Sequence, residues 1–132
     1  KMRFIWFPLL AALLFFSASA QASGGGSKEG GASSYAKLET FTVNLQGLTQ
    51  YLQVDMSLKV ADPKIAESIK GWSPVIRHEL ILLLSSQSGE ELATLAGKKK
   101  VTGLIRSAIN KVLKLDAKAG VTDVLFESFV IQ

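Results

Sequence analysis

The chain has no cysteine, one histidine and three prolines in 132 residues. The missing cysteine excludes disulfide staples, thiolate metal sites and a lipid carried on a leader cysteine. A single histidine, His78, excludes any metal site built on two imidazoles. Charge of one sign is also scarce, with 15 Lys and Arg against 11 Asp and Glu, a formal net of +4. Lys1 and Arg3 belong to a leader-like start, and without them 13 basic residues face 11 acidic ones. That balance is too weak to specify nucleic acid or an anionic membrane as partner. Long apolar runs are missing too, with one exception at the N-terminus.

That exception runs from Phe4 to Phe16, is interrupted by Pro8, and leads into Ser17-Ala18-Ser19-Ala20-Gln21. Basic residues, an apolar core and a small-residue A-x-A site form the pattern of a secretory leader. A membrane-spanning helix needs about 20 apolar residues, with about 17 as the lower limit, and Phe4–Ala20 reaches that only by counting two serines. Residues 1–20 therefore read as a cleaved signal peptide, with a retained N-terminal anchor as the alternative. Both place the remainder outside the cytoplasm. An exported domain without disulfides fits a bacterial periplasm. Residues 21–34, rich in Gly and Ser, cannot bury a core and read as a flexible linker. This leaves residues 35–132, about 100 residues, as one modest domain.

In that domain Leu52, Val54, Met56, Leu58 and Val60 alternate with Tyr51, Gln53, Asp55, Ser57 and Lys59, the pattern of a half-buried strand. Phe41, Val43 and Leu45 alternate before it, and the short Gln46-Gly47-Leu48-Thr49 connection predicts an antiparallel hairpin. Asp62-Pro63 then opens a helix as cap and first residue. Pro74 must break it, so two abutting helices are expected, the second with Ser73 as cap and Pro74 as first residue. Helical spacing puts Trp72 in the core. Ser88-Gly-Glu-Glu91 has capping-box spacing and predicts a short helical turn. A last helix over residues 97–115 places Val101, Leu104, Ile105, Ala108, Ile109, Val112 and Leu113 on one stripe, with Lys99, Lys100, Arg106, Asn110, Lys111 and Lys114 opposite. After Gly120, Val124, Phe126 and Val130 point one way while Leu125, Phe129 and Ile131 point the other. A strand apolar on both faces belongs in the interior of a sheet, so the C-terminal strand is expected to be central. The order strand-strand-helix-helix-strand is that of an α+β fold, a small antiparallel or mixed sheet covered by helices on one side.

Several phrases together carry a family resemblance. They are Phe41-Thr-Val-Asn44-Leu45, Tyr51-Leu52-Gln53-Val54, Ile76-Arg77 leading into Leu80-Ile-Leu-Leu-Leu84-Ser-Ser86, Glu91-Leu92, Gly97-Lys98, Ile109-Asn110-Lys-Val-Leu113, and Val124-Leu-Phe126 with Phe129-Val-Ile-Gln132. In this order and spacing they resemble the flagellar basal-body-associated FliL family from about Leu38 to Gln132. The resemblance implies a stomatin-like scaffold domain on the periplasmic side of the flagellar motor. Such domains form homo-oligomeric rings around stator units and support torque, swimming and swarming, without enzymatic activity or a cofactor. It also implies flagellar stator and basal-body proteins as partners, no nucleic acid, and the inner membrane only if the leader is retained. Two departures stand out. His78 occupies a position that is usually acidic in the family, with Glu79 following. The family's membrane helix is replaced by a leader that looks cleavable, as in a secreted relative. Arg77, His78 and Glu79 are accordingly the candidate partner-interface residues.

No pattern in the residues competes with this reading. Ser73 or Ser85 with His78 and Glu79 would be needed for a hydrolytic triad, but no nucleophile-elbow sequence surrounds either serine. Lys98-Lys99-Lys100 reads as a solvated helix start rather than an anion site, at the unfavourable end of the helix dipole. The other function class is an exported ligand- or peptide-binding module unrelated to motility, which would need a concave apolar pocket with convergent polar groups.

Overall fold

A computed structural model describes residues 34–47 and 49–132; the leader and nearly all of the proposed linker lie outside the described residues. The elements are β1 (Ser34–Asn44), β2 (Tyr51–Val60), α1 (Pro63–Gly71), α2 (Ser73–Ser85), α3 (Gly89–Leu92), α4 (Leu95–Leu113) and β3 (Val121–Ile131). The strands form one antiparallel sheet in the order β1-β2-β3. The result is the expected α+β architecture, with the sheet's apolar face under the helices.

β2, not the C-terminal strand, is central, and β3 is an edge. The expectation failed because β3 carries bulges that simple alternation cannot show. Asp55 lies opposite Ser128 but Met56 lies opposite Phe126, leaving Glu127 as an extra residue; likewise Lys59 faces Asp123 while Val60 faces Val121, leaving Thr122 extra. One inserted residue reverses which face the following side chains occupy. Phe126 and Phe129, of opposite parity by count, therefore both join the core, with ring centroids 4.9 Å apart. Leu125 and Val130 are left outside, 40% and 39% exposed. β1 uses the same device: Leu38 faces Met56 and Phe41 faces Val54, so Glu39-Thr40 hold the bulge and Leu38 and Phe41 share the inner face.

The helices start and stop for local reasons. The Asp62 carboxylate accepts from the Lys64 N–H at 2.8 Å, with Pro63 at the first helical position. α1 and α2 abut as expected, but Trp72 is the junction residue and Ser73 gives no side-chain cap. The Trp72 N–H still donates to Ser68 O and the Ile76 N–H to Trp72 O, so little irregular chain separates the two helices. At that corner Trp72 is 50% exposed rather than core. Ser88 caps α3 by accepting from the Glu91 N–H at 3.1 Å, as its spacing predicts. Thr94 does the same for α4 through the Gly97 N–H at 2.9 Å, so α4 begins at Leu95, ahead of the expected start. A side chain at Gly97 would run into the Glu91 carbonyl, so the close α3–α4 approach requires glycine there.

Beneath the helices, Phe41, Leu52, Val54, Met56 and Leu58 of the sheet meet Ile76, Leu80, Leu84, Val101, Ile105 and Ile109, all fully or almost fully buried. Each fully buried Leu, Ile or Phe contributes about 1.5–3 kcal/mol, which makes this contact the main source of cohesion. Two members of α4 depart from the sequence reading. Leu104 lies outside the core at 38% exposure, while Asn110 is buried at 6%. The Asn110 side chain donates to Val121 O at 3.0 Å and accepts from Val121 N–H at 2.7 Å, holding the start of β3 as a neighbouring strand would.

Candidate functional site

α2 sends its three candidate residues in different directions. Its inner row is Ile76, Leu80 and Leu84. Arg77, on one flank, turns toward β1. Its guanidinium donates to Glu39 O at 3.0 Å and Thr40 O at 3.2 Å and stacks 4.1 Å from the Phe41 ring centre. Arg77 thus satisfies the extra carbonyls of the β1 bulge, a structural use that the sequence did not reveal. His78 is exposed. Glu79, on the other flank, lines a groove between α2 and α4 with Leu104, Ser107, Ala108, Lys111 and Val112. Arg77 and Glu79 therefore do not share one surface.

The α2–α4 groove has a volume of about 490 Å³. Glu79 is the α2 residue that lines it, and Trp72, Val75 and Leu82 recur at three- and four-residue steps on the exposed side of the same helix. Val75 is 41% and Leu82 55% exposed. Glu79 and Lys111 carry opposite charges on the two walls, and neither forms an ion pair among the described residues. Sequence reasoning missed Val75, Leu82, Leu104 and Lys111. The available signal was that α2 has more apolar residues than one buried stripe can absorb.

A second groove, of about 540 Å³, runs beside β1 between Ala36 and Leu38 on the strand and Ala66, Glu67, Ile69 and Lys70 on α1, with Arg77 at its wall. The uncovered sheet face mixes a polar network with the half-exposed Leu125 and Val130. Lys37 Nζ donates to Glu127 Oε1 at 2.7 Å, the Ser57 hydroxyl donates to Glu127 Oε2 at 2.9 Å, and the Thr40 hydroxyl donates to Asp55. The hydrogen bond and charge of Glu127 raise the Lys37 amine above its ordinary value. Hydrogen bonds from Lys37 and then Ser57 lower the Glu127 carboxyl below its own. This cross-strand tie spans all three strands.

The residues weighed for catalysis have other uses. The Ser85 hydroxyl donates to Ile81 O at 2.7 Å, and Ser73 lies at the β1–α1 groove. Among the described residues no hydrogen bond links His78 to a serine or a carboxylate, and no group of three His, Asp or Glu could hold a metal ion. Lys98 is not simply solvated, since its ammonium donates to Ala93 O at 3.2 Å and lies 5.0 Å from the Phe129 ring centre. No described helix is long and apolar enough to cross a membrane.

"Flagellar protein FliL" of Escherichia coli K12 is 33% identical over 96 residues, covering 72% of this chain and 62% of that protein. The protein of the same name from Aquifex aeolicus VF5 is 32% identical over 94 residues, covering 70% of this chain and 56% of its own length. The chain thus spans about three fifths of the length of these curated relatives. The family model for "Flagellar basal body-associated protein FliL" matches residues 35–132, from the second residue of β1 to the last residue of the chain, and with these relatives it shows that the chain belongs to the FliL family.

Proposed function

We propose that this domain works at the flagellar basal body from the periplasmic side, as a non-enzymatic scaffold that supports stator function, torque and hence swimming and swarming. The observation that carries the reading is the family match, which takes in every described element. The surface is consistent with it: the candidate partner-interface helix displays His78, Glu79, Val75 and Leu82 to solvent, while Arg77 keeps the β1 bulge in shape. The partners are stator and basal-body proteins together with further copies of this chain assembled as a ring. Export follows from the leader, which is removed before Gln21, and a retained leader would instead hold the domain at the inner membrane.

An in-frame deletion tests this reading. Reduced swimming speed and swarming with filaments still assembled is the expected result. Unchanged motility would overturn it, and loss of the filaments themselves would replace stator support with a role in assembly. Intact-mass measurement of the periplasmic protein should give a chain that starts at Gln21. Recovery of the full-length chain from washed membranes alone would establish the anchored form.

A further inference from the structure

The sheet has two edges, β1 and β3, and they are guarded unequally. β3 carries two bulges, and Asn110 and Arg106 bond to its first residues. On β1 the bulge at Glu39-Thr40 is closed by Arg77, which takes both carbonyls. The first half of β1 has neither device. Tyr51 and Gln132 exchange main-chain bonds across the β2–β3 pair, so odd residues of β2 turn their N–H and C=O toward β3 and even ones toward β1. Met56 and Leu58 are therefore the main-chain partners of Leu38 and Ala36, which leaves the N–H and C=O groups of Tyr35 and Lys37 directed away from the sheet. Among the described residues no hydrogen bond outside the ladder reaches these main-chain groups. Lys37 is the kind of charge that keeps a neighbour off an edge strand, but its ammonium is bound to Glu127 over the uncovered face.

This stretch forms one bank of the β1–α1 groove, about 540 Å³ in volume, whose apolar lining is Ala36 and Leu38 on the strand and Ala66 and Ile69 on α1. We infer that the groove takes an extended segment of a different protein, which joins the three-stranded sheet as an added strand beside Tyr35–Leu38 and lays small or β-branched apolar side chains against α1. The unpaired main-chain row carries the inference. Donors and acceptors that alternate at strand spacing are matched by another extended backbone. A helix does not match them, because its own N–H and C=O groups are bonded internally. The groove supplies what a bare edge lacks, a wall on which alternate side chains of the added strand rest. Arg77 sets the length, because the row ends where its guanidinium holds Glu39 O and Thr40 O. The contact is thus short, and main-chain bonds give the affinity while the helix wall selects the side chains. The inference concerns this one groove and holds or fails independently of the motility reading.

Amide exchange in the full chain, followed by NMR, tests this first without any addition. The Tyr35 and Lys37 amides should exchange fast while those of Ala36 and Leu38 are protected. Protection of Tyr35 and Lys37 from the start would overturn the inference, since the chain's own residues or a second copy would already fill the edge. Random peptides displayed on phage are then selected against the full chain. The enriched peptide, made synthetically, should slow exchange at Tyr35 and Lys37 and contact Ala66 and Ile69. Methylating every second main-chain nitrogen of that peptide should weaken binding at least about tenfold in one register and little in the other, because only one set of N–H groups faces β1. Tyr35→Pro removes one outward N–H at a position where an edge strand tolerates proline. It should weaken binding roughly tenfold with Tm unchanged, and Tyr35→Phe should bind like the parent. No enriched peptide, a peptide that contacts another face, equal binding by both methylated forms, or parental binding by Tyr35→Pro would each overturn the added strand.

Discussion

Replacing Asn110 tests how the helical layer holds the terminal strand. Asn110 is 6% and Val121 0% exposed, and the amide makes both a donor and an acceptor bond to the Val121 main chain. Asn110→Leu keeps much of the volume and removes both bonds, so a buried N–H and a buried C=O lose their partners. Each such loss costs about 1–3 kcal/mol, giving about 2–6 kcal/mol in total. Domain stability is only about 5–15 kcal/mol, and about 1 kcal/mol shifts Tm by about 4–8 °C in a domain of this size. A fall in Tm of at least about 8 °C is therefore expected, measured by circular dichroism with a matching loss in urea titration. Asn110→Asp adds a sign that can be checked. A protonated Asp can still donate to the Val121 carbonyl, whereas a carboxylate presents a second acceptor to it. Burial and this clash raise the folded pKa above the unfolded value of about 3.9. The native state then binds the extra proton, so the stability of this variant is greatest below the unfolded pKa and falls as pH rises through the folded one. The Leu variant should lack that additional slope. A Tm loss under about 3 °C for Asn110→Leu, or an Asp variant that tracks it at every pH, would refute the reasoning.

Three further outcomes are expected. Deleting residues 129–132 removes Phe129 and Ile131 from over Leu52 and Val54, and also the paired main-chain bonds between Tyr51 and Gln132. Both side chains are only half-buried, so the loss should be about 3–5 kcal/mol and leave a cooperative but less stable domain; a melting curve at the parent temperature would contradict this. Lys114 ends α4 at φ 61°, in the left-handed region that favours glycine, so Lys114→Gly should stabilise by about 0.5–1 kcal/mol in denaturant titration. The lowered Glu127 carboxyl stabilises above the ordinary carboxylate range, an effect lost as pH falls through its folded value; the raised Lys37 amine stabilises below the ordinary lysine value, an effect lost as pH rises through its folded value. Glu127→Gln should therefore lower Tm slightly at neutral pH and match the parent in acid, with high salt reducing the difference.

Much of this protein is legible in the order of its residues, because local signals act over a few positions. Alternation in β2, Asp62-Pro63 at the head of α1, the break before Pro74 and the Ser88–Glu91 spacing each act within one turn or one pleat, and each was realised. The phrases shared with the FliL family are likewise properties of the chain alone. What only the tertiary structure decided involves residues far apart in sequence. Glu127 is an extra residue only relative to β2, and that bulge turns an apparently two-faced central strand into a one-faced edge strand. The bonds from Arg77 to the carbonyls of Glu39 and Thr40 are not legible in the sequence, because these acceptors lie 37 to 38 positions upstream. Asn110 read as solvent-facing because its partner, Val121, comes within reach only when β3 docks beside α4. The groove that joins Glu79 to Lys111 exists only once two helices, each amphipathic in its own right, are laid side by side on the same sheet.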